Sequence, residues 1–285
     1  MSDLRLANLD QVQMKNILSI NFLNKALKNY FSHMRRTTLF LILSFISVSL
    51  VEVASASPDM STQEEVYDPI EAVNRSIFNF NDKADIYVLE PVAKTYDDVM
   101  PDGVQRSVGN FFKNLKFPRY FVADLIQGKW SQMLDHTGRF LINTTVGVGG
   151  LFDVATEWGI EENTEDIGLA FAYHGVPAGP YIVLPFLGPS NLRDTVGTVF
   201  DFALDPLIIF GYSDVRAGVR DRISYPLGTL KFVDARAGLI EAVDAAKEGS
   251  VDYYLFMQSA YYQHRWGELW DGSPPEEDQF LSEAE

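Results

Sequence analysis

The residues that could carry chemistry are few and poorly grouped. The four histidines, His33, His136, His174 and His264, stand far apart, and the 285 residues include no cysteine. Metal sites announce themselves by His or Cys at short spacings, so no metal is expected. Disulfides, a thiolate zinc site and a cysteine nucleophile are excluded outright. No Gly-x-Ser-x-Gly elbow, P-loop or His-Glu-x-x-His occurs. Gly147-Val148-Gly149-Gly150-Leu151-Phe152 imitates a dinucleotide turn. It lacks the third glycine, though, and follows a helical pattern rather than a strand. The 39 Asp and Glu could meet in space, but no spacing singles out an acid–base couple. The expectation is no catalytic residue, no cofactor and no enzyme, with the acids forming a solvated surface.

Charge narrows the partners. The net charge is −16, and beyond residue 56 there are 17 Lys and Arg against 36 Asp and Glu. A nucleic-acid footprint needs a basic surface, and docking on anionic lipid needs a polybasic patch, so neither is expected. Any membrane contact must be hydrophobic. The mean hydropathy of −0.04 suits a water-soluble or peripheral protein large enough for a substantial core.

The elements that stand out are two apolar but broken stretches. Phe140–Phe152 has no charged residue, yet Gly147, Gly149 and Gly150 interrupt it. Ile167–Leu192 also lacks charge and is cut by Pro177, Pro180, Pro185, Pro189, Gly175, Gly179 and Gly188. A spanning helix needs about 20 unbroken apolar residues, which prolines this dense forbid. Irregular backbone cannot face acyl chains with its N–H and C=O groups unpaired. Such segments either wall a lipid-facing cavity or form a buried loop pair in an ordinary core; the residues alone leave both open.

Helices account for most of the rest. Asp68-Pro69-Ile70-Glu71 reads as a helix start with Asp68 as N-cap, and Ile70, Val73, Ile77 and Phe78 share one face. Pro91 ends or kinks that helix. A second is expected over Val104–Leu115, and Pro118 opens a third with Phe121, Val122 and Leu125 on its apolar side. Gly128 separates that one from a helix through Trp130, Met133, Leu134 and Leu141. Thr164-Glu165-Asp166 brings acids to the first turn of a helix ending near Gly175. Ser190 is placed to cap the next, carrying Val196, Val199 and Phe200 and stopped by Asp205-Pro206. After Tyr212 the chain reads helical to Lys247 with a break at Pro226-Leu227-Gly228. A last helix over 251–266 carries Tyr253, Tyr254, Phe256, Tyr261, Tyr262 and Trp266, which suit either a membrane interface or the protein's own core. No period-2 strand set appears. The fold class is all-α.

At the N-terminus, Arg35-Arg36, the apolar block 38–51 and Ala54-Ser55-Ala56 make a signal peptide over 34–56, which places the protein outside the cytoplasm. Residues 1–33 read as an over-called start or a long n-region, 57–67 as a linker, 68–270 as one helical domain and 271–285 as an acidic disordered tail.

DPIEAVNRSIFNFND at 68–82, RFLINTTVGVGGLFDVA at 139–155 and EDIGLAFAYHGVPAGPYIVLPFLGPSNLRD at 165–194 strongly resemble the VacJ/MlaA family. The resemblance runs from Asp68 to Trp270. It implies an all-helical ring with an amphipathic channel, lying at the periplasmic face of a Gram-negative outer membrane. Phospholipid that has strayed into the outer leaflet would pass through it to a periplasmic lipid-carrier protein, with an outer-membrane porin trimer holding the ring. The family's glycine hairpin corresponds to Thr145, Val146, Gly147, Val148, Gly149, Gly150, Leu151, Phe152 and Asp153. Its proline loop corresponds to 175–191, with Gly175, Pro177, Gly179, Pro180, Tyr181 and Pro185 as channel-lining candidates. Backbone amides of both could line a bore, and the Gly147–Gly150 turn could gate it. One departure is chemical: family members are mostly lipoproteins, and this sequence offers no cysteine to lipidate. Burying about 400 Å² of apolar surface would supply roughly 10 kcal/mol before ordering costs, so anchoring without a lipid is plausible. The alternatives are a membrane-associated structural or interaction protein that moves no lipid, and a lipid hydrolase, disfavoured by the missing nucleophile motifs.

Overall fold

The structure is a computed structural model that describes residues 66–274. The expected leader, the segment before it, most of the linker and most of the tail lie outside the described residues. The chain divides into two units. The larger, Met60–Ile208 with Ser224–Glu285, carries every site discussed below; of the smaller, only Ile209–Ile223 is described.

The helices are α1 (Glu71–Ala84), α2 (Glu90–Val99), α3 (Asp102–Asn114), α4 (Phe117–Gln127), α5 (Trp130–Thr145), α6 (Val154–Glu157) and α7 (Ile167–Tyr173). After β1 (Tyr181–Leu184) and β2 (Gly188–Asn191) come α8 (Leu192–Leu204), α9 (Pro206–Gly211), α10 (Ala217–Ala237), α11 (Ile240–Gly249) and α12 (Tyr253–Leu269). The fold is all-α with one small antiparallel hairpin, Tyr181 facing Asn191 and Leu184 facing Gly188. Four residues per strand, with Gly188 and Pro189 making up half of β2, are too few for alternation to register as a pattern. Among the described residues no helix is long and apolar enough to cross a membrane.

Proline and glycine act where the sequence puts them. Pro118 sits in the first turn of α4, Gly128 closes that helix at φ +74°, and Asp205 ends α8. Four expected boundaries differ. Asp68 does not cap α1, whose N-cap is Ile70. The Asp68 carboxylate instead accepts from Asn74 Nδ2 at 2.7 Å and from the Tyr254 hydroxyl. Pro91 does not end the helix: a π-helical stretch at Asp85–Leu89 precedes it and places Pro91 in the first turn of α2, where a missing N–H is tolerated. Asn191, not Ser190, caps α8, accepting from the Asp194 N–H at 2.7 Å. Pro226 lies inside α10, and the break falls at Gly238 instead.

Two apolar clusters anchor the body. Ala123, Ile167 and Ala170 pack with Val122, Phe171, Phe200 and Leu204. Tyr181, Val183 and Tyr254 pack with Ile77, Phe78, Tyr261 and Tyr262. The aromatic face of α12 is therefore a core face, and its hydroxyls find carboxylates: Tyr261 donates to Asp194 at 2.6 Å. Arg265, on the same helix, ties α7 to α8 by bonding Asp166 at 2.6 and 3.0 Å and Asp194 at 2.9 Å. The two helices touch backbone to backbone there: a Cβ on Gly197 would lie 2.4 Å from the Gly168 nitrogen.

Nothing flexible can yield at that crossing. Gly197→Ala should cost about 1–3 kcal/mol by overpacking and lower the thermal midpoint followed by circular dichroism. Gly228→Ala, inside α10 with nothing within 4 Å of the added carbon, should instead raise it by the propensity gain of about 1 kcal/mol or less.

Candidate functional site

Helix α5 is turned inside out. Gln132, His136, Arg139 and Asn143, spaced three and four apart on one face, are buried, while Trp130, Leu134 and Leu141 are 60%, 66% and 55% exposed. A soluble helix does the reverse. Burying four polar side chains is tolerable only if each is bonded, and each is. Gln132 donates to Glu165 Oε1 at 3.0 Å. The ring nitrogens of His136 face Asp124 Oδ2 at 2.6 Å and the Asn163 carbonyl at 3.0 Å. Both partners are acceptors, so only the imidazolium makes both bonds. Burial pulls the His136 pKa down, but the Asp124 carboxylate outweighs it and the net shift is upward.

Arg139 and Asn143 grip the far arm of the glycine hairpin. Arg139 Nη2 meets the Asp153 oxygens at 3.0 and 2.9 Å, and its Nη1 bonds Thr156 Oγ1 and the Ile160 carbonyl. Asn143 Nδ2 donates to Asp153 Oδ1 and its Oδ1 accepts from the Ala155 N–H, both at 2.9 Å. Asp153 in turn caps α6 through the Thr156 N–H. Burial alone would raise the Asp153 pKa; bonds from Thr156 and Asn143 and the Arg139 charge overcome that and hold it below the ordinary carboxylate value. Beside this clamp is a cavity of about 30 Å³ lined by Asn114, Tyr120, His136, Arg139, Asn143 and Asp153 among others. That volume fits one water-sized group, far less than a lipid headgroup.

The hairpin from Thr145 to Asp153 satisfies its own backbone. The Gly149 N–H reaches Thr144 O at 2.9 Å, Gly150 reaches Asn143 O at 2.8 Å and Phe152 reaches Gly147 O at 3.0 Å. The amides expected to be offered to a bore are thus largely consumed within the turn. Two glycines are obligatory. A Cβ at Gly147 would stand 2.2 Å from the Phe152 carbonyl, and Gly150 has φ +90° with Asn114 2.7 Å from the missing Cβ. Val148 adopts φ +55°, a strained value for a β-branched residue. The tip points its side chains outward: Val148 is 61% and Phe152 57% exposed, with Val146 and Leu151 exposed beside them. A turn with bonded amides and outward apolar side chains is compatible with hydrocarbon.

The proline-rich segment is held elsewhere, against α1 and α12. Gly175, at φ +77°, ends α7, and the Gly179 Cβ position is crowded by Leu192 at 3.1 Å. Pro180 contributes its carbonyl to the Leu192 N–H at 3.1 Å, while Pro177 and Pro185 are exposed. Tyr181, one of the lining candidates, is fully buried among Tyr254, Tyr261 and Tyr262. Two asparagines seven residues apart on α1 stand in for a third strand. Asn74 donates to Tyr181 O and accepts from the Val183 N–H, both at 2.9 Å. Asn81 donates to Leu184 O at 2.9 Å and accepts from the Phe186 N–H at 2.8 Å. Sequence reasoning missed both; their only trace is the Asn-x₆-Asn spacing, two helical turns, on one face of α1. Among the described residues no group of three or more His, Asp or Glu is placed to hold a metal.

These features define a class: an all-helical fold whose polar side chains are bonded inside and whose exterior, hairpin tip included, carries the large apolar ones. The chain belongs to the MlaA lipoprotein family, whose pattern it matches over residues 66–268. It is 34% identical over 218 residues to the intermembrane phospholipid transport system lipoprotein MlaA of Escherichia coli, covering 75% of this chain and 82% of that one. The Haemophilus influenzae protein of the same name is 30% identical over 241 residues, covering 83% and 92%. An uncharacterized Rickettsia bellii protein is 33% identical over 240 residues, covering 80% and 91%. A solved chain described as "Structural basis for maintenance of bacterial outer membrane lipid asymmetry" matches with a TM-score of 0.59 at 30% identity, covering 71% of this chain and 98% of that one.

The clamp makes a pH prediction. A carboxylate held below its ordinary value near 3.8 stabilises the fold fully above about pH 4 and loses that contribution as pH falls below it. Asp153→Asn should therefore lower the unfolding free energy read from urea titration at neutral pH, by about 3 kcal/mol if Arg139 is left unpaired. The gap from the unsubstituted protein should close below about pH 4.

Proposed function

We propose that this protein takes part in intermembrane phospholipid transport, as a non-enzymatic component at the periplasmic face of the outer membrane. In this role it accepts phospholipid from the outer leaflet and hands it to a periplasmic carrier. The observation that carries the reading is the inversion of α5 together with the apolar hairpin tip: side chains that would be a liability in water are displayed around a turn whose amides are already bonded. Two relatives named as intermembrane phospholipid transport lipoproteins support the substrate class. The net charge of −16 leaves hydrophobic contact as the means of holding a membrane, and an outer-membrane porin trimer fits as a partner for the exposed apolar helix faces. The glycine hairpin acts as the gate. Its strained Val148 and its Gly147–Gly150 core give it a conformation other residues cannot copy, and the Asp153 clamp fixes one arm while the other moves.

The second reading is a membrane-bound interaction protein without transport. The 30 Å³ cavity favours it as far as the closed hairpin goes, since that space passes no headgroup; the gating reading requires the turn to open.

Replacing Gly149 and Gly150 together by Val tests the gate. Gly149 has open space but φ +74°, and Gly150 is blocked by Asn114, so the turn should lose its conformation while α5 persists. At equal protein levels, cells carrying the double variant should differ several-fold from the parent in outer-leaflet phospholipid accessible to an added phospholipase. Unaltered lipid asymmetry would refute the gate. Normal asymmetry in cells lacking the protein altogether would refute the transport reading.

A further inference from the structure

Most described cations in this acidic chain have a carboxylate partner: Arg139 has Asp153, Lys129 has Glu165 and Asp271, Arg265 has Asp166 and Asp194. Lys116 and Arg119 are an exception. Among the described residues neither forms an ion pair, and yet both are more than half sequestered rather than waving in solvent. They are joined by geometry. Lys116 is the N-cap of α4, and the Arg119 N–H bonds its carbonyl at 3.0 Å, so the two side chains occupy one helix face three residues apart. Arg119 lies over the Tyr120 ring at 5.2 Å, and its Nε is enclosed with no hydrogen-bond partner. Lys113 and Lys231 add to the positive field on Lys116, against Glu162, which already serves Lys113 at 2.9 Å. Lys231 is likewise bonded to Asp205 at 2.6 Å.

A lysine and a guanidinium held against the body without a carboxylate are costly in a folded protein, and the Arg119 Nη atoms, unlike its Nε, are not enclosed. The pair is a reasonable expense where a ligand completes it. The ligand is anionic, and a guanidinium fork beside an ammonium suits phosphate oxygens. It is also amphipathic, because the same helix exposes Leu125 and Ile126. We propose that Lys116 and Arg119 hold the phosphodiester of a phospholipid headgroup, with Lys113 and Lys231 strengthening the field and the acyl chains lying along the exposed apolar side chains of α4. This deepens the transport reading above and rests on it.

The charge states agree with the geometry. Burial, helped by Arg119, lowers Lys116 to about 8, so it is still mostly protonated at neutral pH but gains from an arriving anion. Burial raises the neighbouring Asp201 carboxyl to about 7 against the pull of Arg119. That acid is thus half neutralised and is a weak competitor for the guanidinium.

The test compares phosphatidylglycerol with a diacylglycerol of the same chains, each labelled and equilibrated with the purified full chain in mixed micelles. Lys116→Gln with Arg119→Gln should weaken phosphatidylglycerol binding by about tenfold or more, the loss of one to two charge-assisted bonds, and leave diacylglycerol binding as it was. Lys116→Arg should retain binding. Lys83→Gln with Arg106→Gln, two exposed cations without ion pairs among the described residues, should change nothing. Circular dichroism and thermal midpoints establish that each variant is folded. Equal loss for both lipids, or none for either, overturns the site. Displacement of the lipid by inorganic phosphate at equal concentration assigns the cluster to free anions and overturns the headgroup assignment. Phospholipid bound by the unsubstituted protein but indifferent to Lys116 and Arg119 overturns this site and leaves the transport reading standing. No phospholipid bound at all overturns both.

Discussion

The bond between Arg139 and Asp153 is the interaction on which the hairpin depends. An arginine on a buried helix face is acceptable only with an acceptor at every donor it can reach. Here the acceptors are Asp153, Thr156 and the Ile160 carbonyl. Those partners all lie beyond the glycine turn, so satisfying the guanidinium fixes where the returning chain must go. Asn143, one turn of α5 further on, repeats the logic with a donor to Asp153 and an acceptor for Ala155. The turn between is left free to spend its residues on glycine and on outward-facing hydrophobes. Polar bonding inside thereby permits apolar display outside.

The same economy runs through the body. Asn74 and Asn81 pair the open edge of β1 from a helix, which removes the exposed strand edge that would otherwise invite association. Glu165, buried and held by Gln127, Gln132 and Lys129, links α4 and α5 to the start of α7. The buried residues include Asn, Gln, Asp, Glu, His and Arg in near parity with the apolar ones. In an aqueous protein that proportion would forfeit much of the hydrophobic driving force. It is less wasteful where the exterior meets hydrocarbon and burial of apolar groups brings no gain over leaving them outside.

How much of this was legible depends on range. Local backbone chemistry was: Pro118 and Gly128 bound α4 as read, Asp205-Pro206 stops α8, and the helix leading into Gly147 ends there. Periodicity also found the helical faces, but a face does not say which way it points. Ile70 and Val73 were grouped with Ile77 and Phe78, and the first two are exposed while the last two pack on Tyr254; Asn74 occupies the buried position between them. Asp68 looked like a cap because Asp before Pro usually is one. Its carboxylate went to Asn74 and to Tyr254, a partner 186 residues away, and no local signal announces such a bond. The proline-rich hairpin escaped for a related reason, since its edge is completed by side chains from a helix 100 residues earlier rather than by a strand of its own. The motif blocks that carry the family resemblance hold both partners of several such pairs, Asn74 and Asn81 with the hairpin and Arg139 and Asn143 with Asp153.

Lys116 and Arg119 show where local reading runs out in the other direction. In sequence they are two unremarked cations near Pro118, and any helix carries such residues on its solvated face. Folding separates them from the rest: most described cations find a carboxylate or, like Lys83 and Arg106, stay exposed, while this pair is drawn inward by α4 without one. A protein with 39 acidic side chains has no shortage of anions with which to neutralise two cations. Their lack of an ion-pair partner among the described residues is therefore a property of placement, and placement is what a site for an external anion requires. The hairpin clamp, built on the helix that packs against α4, supplies the contrast. There, Arg139, buried more deeply than Arg119, is bonded through both Nη atoms by its own chain, so the fold can complete a guanidinium when completion is all that is needed.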